Sequence, residues 1–212
     1  MTVFHWVEAV PPLENGDHLS RSEFERRYAA MPEVKAELIE GVVYMASPLR
    51  ALGHSRPHSL ITAWLMAYDL VTPGAMVLID ATVILDDANE VQPDALMRWE
   101  NSGSSWFNEQ DYIVGAPELV VEIAASSAAI DLYEKKQAYA RNRVQEYIVW
   151  QTLDKRLDWF VLAAGNYQQQ EPDAQGILQS QIFPGLWLDV PALLEGNLSQ
   201  VLDVLQTGLR QC

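Results

Sequence analysis

Residues 117–136, PELVVEIAASSAAIDLYEKK, decide how this chain is read. From Leu119 the run is almost continuously apolar, as expected for a strand covered on both faces. Yet Glu122 stands near its end, where a core would take another valine. A carboxylate on such a strand must face solvent or be paired. The chain then drops to Ala124, Ala125 and Ser126 before AIDLYEKKQAYARNR, which reads as a helix with Asp131 and Lys135 four residues apart on one face. A buried strand, a small-residue turn and an amphipathic helix together predict a sheet with helices packed on it.

The flanks extend that reading. Residues 1–18 look like an extended arm with turns at PPLENGD. LSRSEFERRYAAMPE (19–33) reads as a short helix capped at Ser20, with Glu23 three residues on. KAELIEGVVYMAS gives two strands around Glu40-Gly41, a hairpin signal. Pro57 opens a predicted helix to about Asp69, with His58, Ile61, Leu65 and Tyr68 at helical spacing. AMVLIDATVILD (75–86) and QPDALMRW are strand material, NSGSSWFNEQDYIVG (101–115) a loop, and QEYIVWQ and RLDWFVLAAG two strands turning at Asp154-Lys155. NYQQQEPDAQG (166–176) reads as a polar loop, ILQSQIFPGLWLDV as a last extended piece, and PALLEGNLSQVLDVLQTGL as a C-terminal amphipathic helix. The order predicts an α/β (α+β) mixed sheet flanked by helices, one domain over 19–212 after the arm.

At 212 residues, half of them hydrophobic, the chain can bury a sizeable core. No apolar run approaches a membrane span and no secretory leader is visible, so the expected location is the cytoplasm, without a membrane partner. The single cysteine, Cys212, excludes an intrachain disulfide and a thiolate zinc site. A net charge of −15 argues against unselective coating of nucleic acid, which takes massed Lys and Arg. Any phosphate-handling surface is therefore local, or helped by a metal ion.

The candidates for chemistry are acids in apolar strands. Asp94 follows Pro93 at the mouth of its strand, and Glu122 ends its own. If the strands are neighbours, the two carboxylates repel unless a cation lies between them. Mg²⁺, which takes oxygen ligands, suits such a pair; two unrelated surface acids capping turns are the plain alternative. Lys135 either makes a solvated pair with Asp131 or leans over the sheet end to offset charge. Glu37 either completes a metal shell or bonds backbone in its hairpin. His54 and His58 have zinc spacing, but a helix opening at Pro57 leaves His54 outside it and no third ligand follows, so no zinc site is expected. His58 is expected as a phosphate contact or a helix-terminal residue. G-x-S-x-G, G-x-G-x-x-G and P-loop patterns are all absent.

Taken in order, AELIEGVVYMASP (36–48), a histidine before a helix, QPDALM (92–97) and APELVVEIAASSAAIDLYEKKQAYARNRVQEYIVW (116–150) resemble the Uma-two family of restriction-endonuclease-like domains, within the PD-(D/E)XK nuclease superfamily. The resemblance runs from about residue 20 through the C-terminal helix. It implies a restriction-endonuclease-like core and a Mg²⁺-dependent (alternatively Mn²⁺-dependent) phosphodiesterase acting on nucleic acid, DNA first. It also implies Asp94, Glu122 and the backbone carbonyl of Ile123 as metal ligands, with Lys135 and Glu37 completing the catalytic set. Arg50, Arg56, Arg141 and Arg143 would supply phosphate contacts, and Ala124, Ala125 and Ser126 would leave room for the scissile phosphate. The chain departs from the superfamily pattern at Ala124, where a lysine is usual, and SSAAID differs from the commoner SPST form. Two rival readings follow: an inactive binding or assembly module, whose aromatic residues in WFVL and GLWLDV would serve a homodimer or partner surface instead of the core, and a hydrolase of small phosphoesters.

Overall fold

The computed structural model describes residues 10–125 and 127–211; residues 1–9 of the expected arm, Ser126 and Cys212 lie outside them. In chain order the elements are α1 (Arg21–Tyr28), β1 (Ala36–Ile39), β2 (Val42–Met45), a π turn (Ala51–Ser55) running into α2 (Arg56–Asp69), β3 (Ala75–Ile79), β4 (Val83–Asp86), β5 (Asn89–Val91), β6 (Ala95–Trp99), β7 (Trp106–Phe107), β8 (Ile113–Val114) and β9 (Leu119–Ala124). Then come α3 (Ala128–Ile130), a second π turn (Asp131–Lys135), α4 (Lys136–Arg141), β10 (Glu146–Gln151), β11 (Arg156–Ala163), β12 (Asn166–Gln169), β13 (Ile177–Gln179), β14 (Trp187–Asp189), α5 (Val190–Leu194) and α6 (Leu198–Leu209).

β9 lies inside a six-stranded mixed sheet ordered β12-β11-β10-β9-β6-β3. It runs parallel to β10, with Val121 beside Ile148, and antiparallel to β6, with Ala95 beside Val121. All six of its residues are buried, as its composition predicts. The odd-numbered side chains Leu119, Val121 and Ile123 enter a core completed by Trp64 and Leu65 of α2 and Val201 and Leu205 of α6. Val120 and Ala124 enter a second core on the opposite face, with Tyr139, Tyr147 and Val149. The period-two alternation of a strand therefore assigns Glu122 to the second face. Trp159 is wholly buried, and Trp187 packs beneath α6, its carbonyl accepting from Trp64 Nε1 at 2.9 Å. Trp159 belongs to the core, and Trp187 is half-buried at its edge.

Over the second face lies another six-stranded sheet, β2-β1-β5-β4-β8-β7. Its β1–β2 hairpin turns at Glu40-Gly41, where both residues have positive φ (53° and 75°), the backbone a two-residue turn requires. The described part of the expected arm is tied to this hairpin by Gly16 N–H to Val43 O at 2.8 Å and by Leu13 in the small core under α1.

Four expectations need correction. Residues 101–115 contain β7 and β8, and residues 166–176 begin with β12, so neither segment is wholly loop. The C-terminal helix is two helices, because Gly196 adopts φ +77° and Asn197 caps α6. The helix expected to open at Pro57 begins earlier, in the π turn at Ala51. Among the described residues no helix is long and apolar enough to cross a membrane.

Glu90 on β5 is buried, and one of its carboxylate oxygens has no hydrogen-bond partner. Burial, followed by the nearby Glu25, pushes its pKa up to about 7. A carboxyl whose folded pKa is raised binds its proton more tightly in the folded state, so stability falls as pH climbs from the unfolded value toward 7. Glu90→Gln is expected to remove about 2 kcal/mol of the stability difference between pH 5 and pH 8. Urea unfolding of both proteins at the two pH values measures it; equal pH dependence would refute it.

Candidate active site

Glu122 and Asp94 meet because of register. β6 and β9 pair antiparallel with Ala95 beside Val121, and continuing that ladder by one residue sets Asp94 opposite Glu122. Side chains directly opposite share a face, here the face that looks toward the second sheet. Pro93 delays the start of β6 and has no N–H to give. The Ile123 N–H instead donates to Asp94 Oδ2 at 2.7 Å. The carbonyls of Glu118 and Ala124 face β10, accepting from Glu146 and Thr152. By alternation the Ile123 carbonyl faces the β6 side, toward Pro93.

Lys135 reaches this point from the second π turn. Its ammonium lies 2.9 Å from Glu122 Oε1, 3.0 Å from Glu37 Oε1 and 3.9 Å from Asp131 Oδ1. Glu37 arrives from β1 of the other sheet and also accepts the Gln92 N–H at 2.6 Å. Tyr139 donates to Glu122 Oε1 at 2.8 Å, and Ser127 donates to Asp131 Oδ2 at 2.6 Å. Asp131, Lys135 and Tyr139 stand at successive four-residue steps on one face. The sequence reading missed Tyr139, although extending the Asp131–Lys135 spacing by one step would have found it.

Electrostatics follow from the count of charges. Three acids, Glu37, Glu122 and Asp131, lie within 4 Å of one lysine, and a fourth, Asp94, stands across the strand pair from Glu122. Burial first, then the charges of Asp131, Asp94 and Glu37, raises the Glu122 pKa well above the ordinary carboxylate value, although Lys135 pulls the other way. Burial opposes charge on Lys135 as well, but Glu122, Glu37 and Asp131 outweigh it and hold the ammonium protonated. Asp94 is held below its ordinary value: burial pushes it up, and the His54 imidazole, the Ile123 N–H and Lys135 together push it further down. The cluster thus carries more carboxylate than cation, and oxygen donors in negative surplus suit a hard divalent ion.

The histidines correct an expectation. Because the π turn continues into α2, His54 is inside the helical run, and Asp94 supplies a third potential ligand. His54 Nε2 lies 3.0 Å from Asp94 Oδ1, and His58 Nε2 donates to the Asp94 carbonyl at 2.8 Å. Two further expectations fail. Arg141 is committed to Glu40 at 2.6 Å and Asp86 at 3.2 Å, whereas Arg50 and Arg56 are exposed at the two ends of the first π turn. Ala124 is buried in the second core and opens no space for a phosphate; Ser126 lies outside the described residues. Position 124 carries alanine, and the Lys135 ammonium bonds Glu122 directly at 2.9 Å.

Comparison with known proteins is consistent with this geometry. Residues 21–191 match the Uma2 family, described as "Putative restriction endonuclease". A solved structure titled a "putative nuclease belonging to DUF820", from Anabaena variabilis ATCC 29413, superposes with a TM-score of 0.62 at 16% identity. The superposition covers 80% of this chain and 96% of that one, and it shows a shared fold. No curated protein matches the chain.

Proposed function

Because the chain belongs to the Uma2 family, described as "Putative restriction endonuclease", we propose that it is a divalent-metal-dependent nuclease that hydrolyses phosphodiester bonds, with DNA as its first substrate. Asp94, Glu122 and the Ile123 carbonyl would hold Mg²⁺ or Mn²⁺. Bound there, the ion supplies polarisation of a phosphoryl oxygen and a lowered pKa for an attacking water. Lys135 stays protonated among its three carboxylates, so it cannot take a proton from that water. Its work is electrostatic, offsetting charge that develops on the phosphate. Glu37, shared between Lys135 and the Gln92 N–H, fixes where the ammonium sits. Asp131, tied to Ser127, faces the same ammonium at 3.9 Å. Arg50 and Arg56, exposed at the two ends of the first π turn, would supply the phosphate contacts.

One observation supports this reading above the rest. Acids from two sheets and a lysine from a helix converge on one buried point where carboxylates outnumber cations. The test is cleavage of plasmid DNA, single-stranded DNA and RNA with Mg²⁺ and with Mn²⁺, beside Asp94→Ala and Glu122→Ala. Wild-type cleavage that needs the metal and is lost in both variants is expected. No cleavage of any substrate, or equal cleavage by the variants, refutes the reading.

The inactive binding module keeps one favouring observation: Glu122 already has two partners, Lys135 and Tyr139, without an ion. Calorimetric titration with Mg²⁺ separates the two, since a site without affinity for the ion supports the module.

A further inference from the structure

We propose that His54, His58 and Asp94 form a nitrogen-rich ligand set that binds a transition-metal ion of the Zn²⁺ or Co²⁺ class, beside the oxygen set of Glu122. It rests on the nuclease reading only in sharing Asp94. The first π turn builds it. Both His54 and Ser55 donate their N–H to the Arg50 carbonyl, at 2.8 and 3.2 Å, and Thr152 Oγ pins the turn through the Gly53 carbonyl at 2.7 Å. His54 and His58 then stand four residues apart on one face, their rings 5.8 Å apart and nearly perpendicular. A ligand atom from each of His54, His58 and Asp94 lies within 4.8 Å of the other two.

The donor types and their spacing suit an ion. In a tetrahedral shell an ion about 2.1 Å from an imidazole nitrogen and a carboxylate oxygen holds them about 3.4 Å apart, so this pair opens by a few tenths of an ångström to take one. The separation between His54 Nε2 and Asp94 Oδ1 is 3.0 Å. His54 presents Nε2 to Asp94, and its Nδ1 is buried without a hydrogen-bond partner. Imidazole donors select against Mg²⁺, which keeps oxygen ligands and water, and toward transition metals. Asp94 would thus stand between two sites of different preference.

Titrating Co²⁺ into the metal-free full chain, read by visible d–d absorption, tests the proposal. The expected result is saturation at one equivalent, displacement by Zn²⁺, and affinity about tenfold weaker or worse in His54→Ala and in His58→Ala. Glu122→Gln is expected to keep Co²⁺ affinity within about twofold. Thermal melts check folding; if His54→Ala unfolds, the half-buried His58 decides alone. Unchanged Co²⁺ affinity in the histidine variants overturns the proposal. So does Co²⁺ binding that is lost in Glu122→Gln but survives in both histidine variants, and that outcome leaves the nuclease reading standing. Co²⁺ binding that depends on the histidines in a protein that cuts no nucleic acid leaves this site standing and the nuclease reading refuted.

Discussion

Lys135→Met lowers the unfolding free energy by about 3–5 kcal/mol at neutral pH in metal-free buffer, the cost of breaking a buried ion pair from one side. Methionine fills much of the same volume, so cavity formation contributes little and the loss is electrostatic. It strands Glu37, Glu122 and Asp131 around the vacated point, where Glu122 and Asp131 are already raised, chiefly by burial. The sign of the pH dependence follows. Without the ammonium these carboxyls bind protons more tightly in the folded state, so lowering the pH neutralises them and the variant recovers. The deficit is therefore expected to be larger at pH 8 than at pH 5. A divalent ion is expected to recover about 2–3 kcal/mol once present at a hundred times its dissociation constant. Urea unfolding with and without Mg²⁺ measures both effects. A loss under about 1 kcal/mol would show that Lys135 does not hold the cluster together.

Glu122→Gln is expected to do the reverse: cleavage falls about a thousandfold while stability stays within about 1 kcal/mol of wild type. The glutamine can still accept from Lys135 and Tyr139. The substitution also removes a carboxylate that is costly to ionise where it is, and Lys135 keeps Glu37 at 3.0 Å. A carboxylate that activity needs and folding does not is the mark of a site under functional strain. Single-turnover cleavage and urea unfolding of the same preparation separate the two effects. A variant that loses stability and activity together would make Glu122 a structural residue.

The comparison of sequence with structure turns on range. The β1–β2 hairpin was legible because Glu40-Gly41 carries the turn in two residues. β9 was legible because its apolar run is local. Glu37, Asp94, Glu122 and Lys135 were each singled out from the sequence, and the structure brings them to one place. What joins them is pairing across long separations, which no window of sequence contains. β7 and β8, two residues each, exist only through their partners. The first π turn hid the histidines: it carries helical backbone N-terminal to Pro57, so a proline read as the opening of a helix put His54 outside. Tyr139 went unnoticed because an aromatic on a helix face reads first as core, which it also is.

The central claim is that one divalent ion sits between the carboxylates of Asp94 and Glu122. Crystals soaked in Mn²⁺ and measured for anomalous scattering test it most directly. The account predicts a peak about 2.1–2.2 Å from an oxygen of each carboxylate and from the Ile123 carbonyl, with the Lys135 ammonium still beside Glu122. A map with no peak there, or one whose only peak lies against His54 and His58 with Glu122 out of reach, would contradict it.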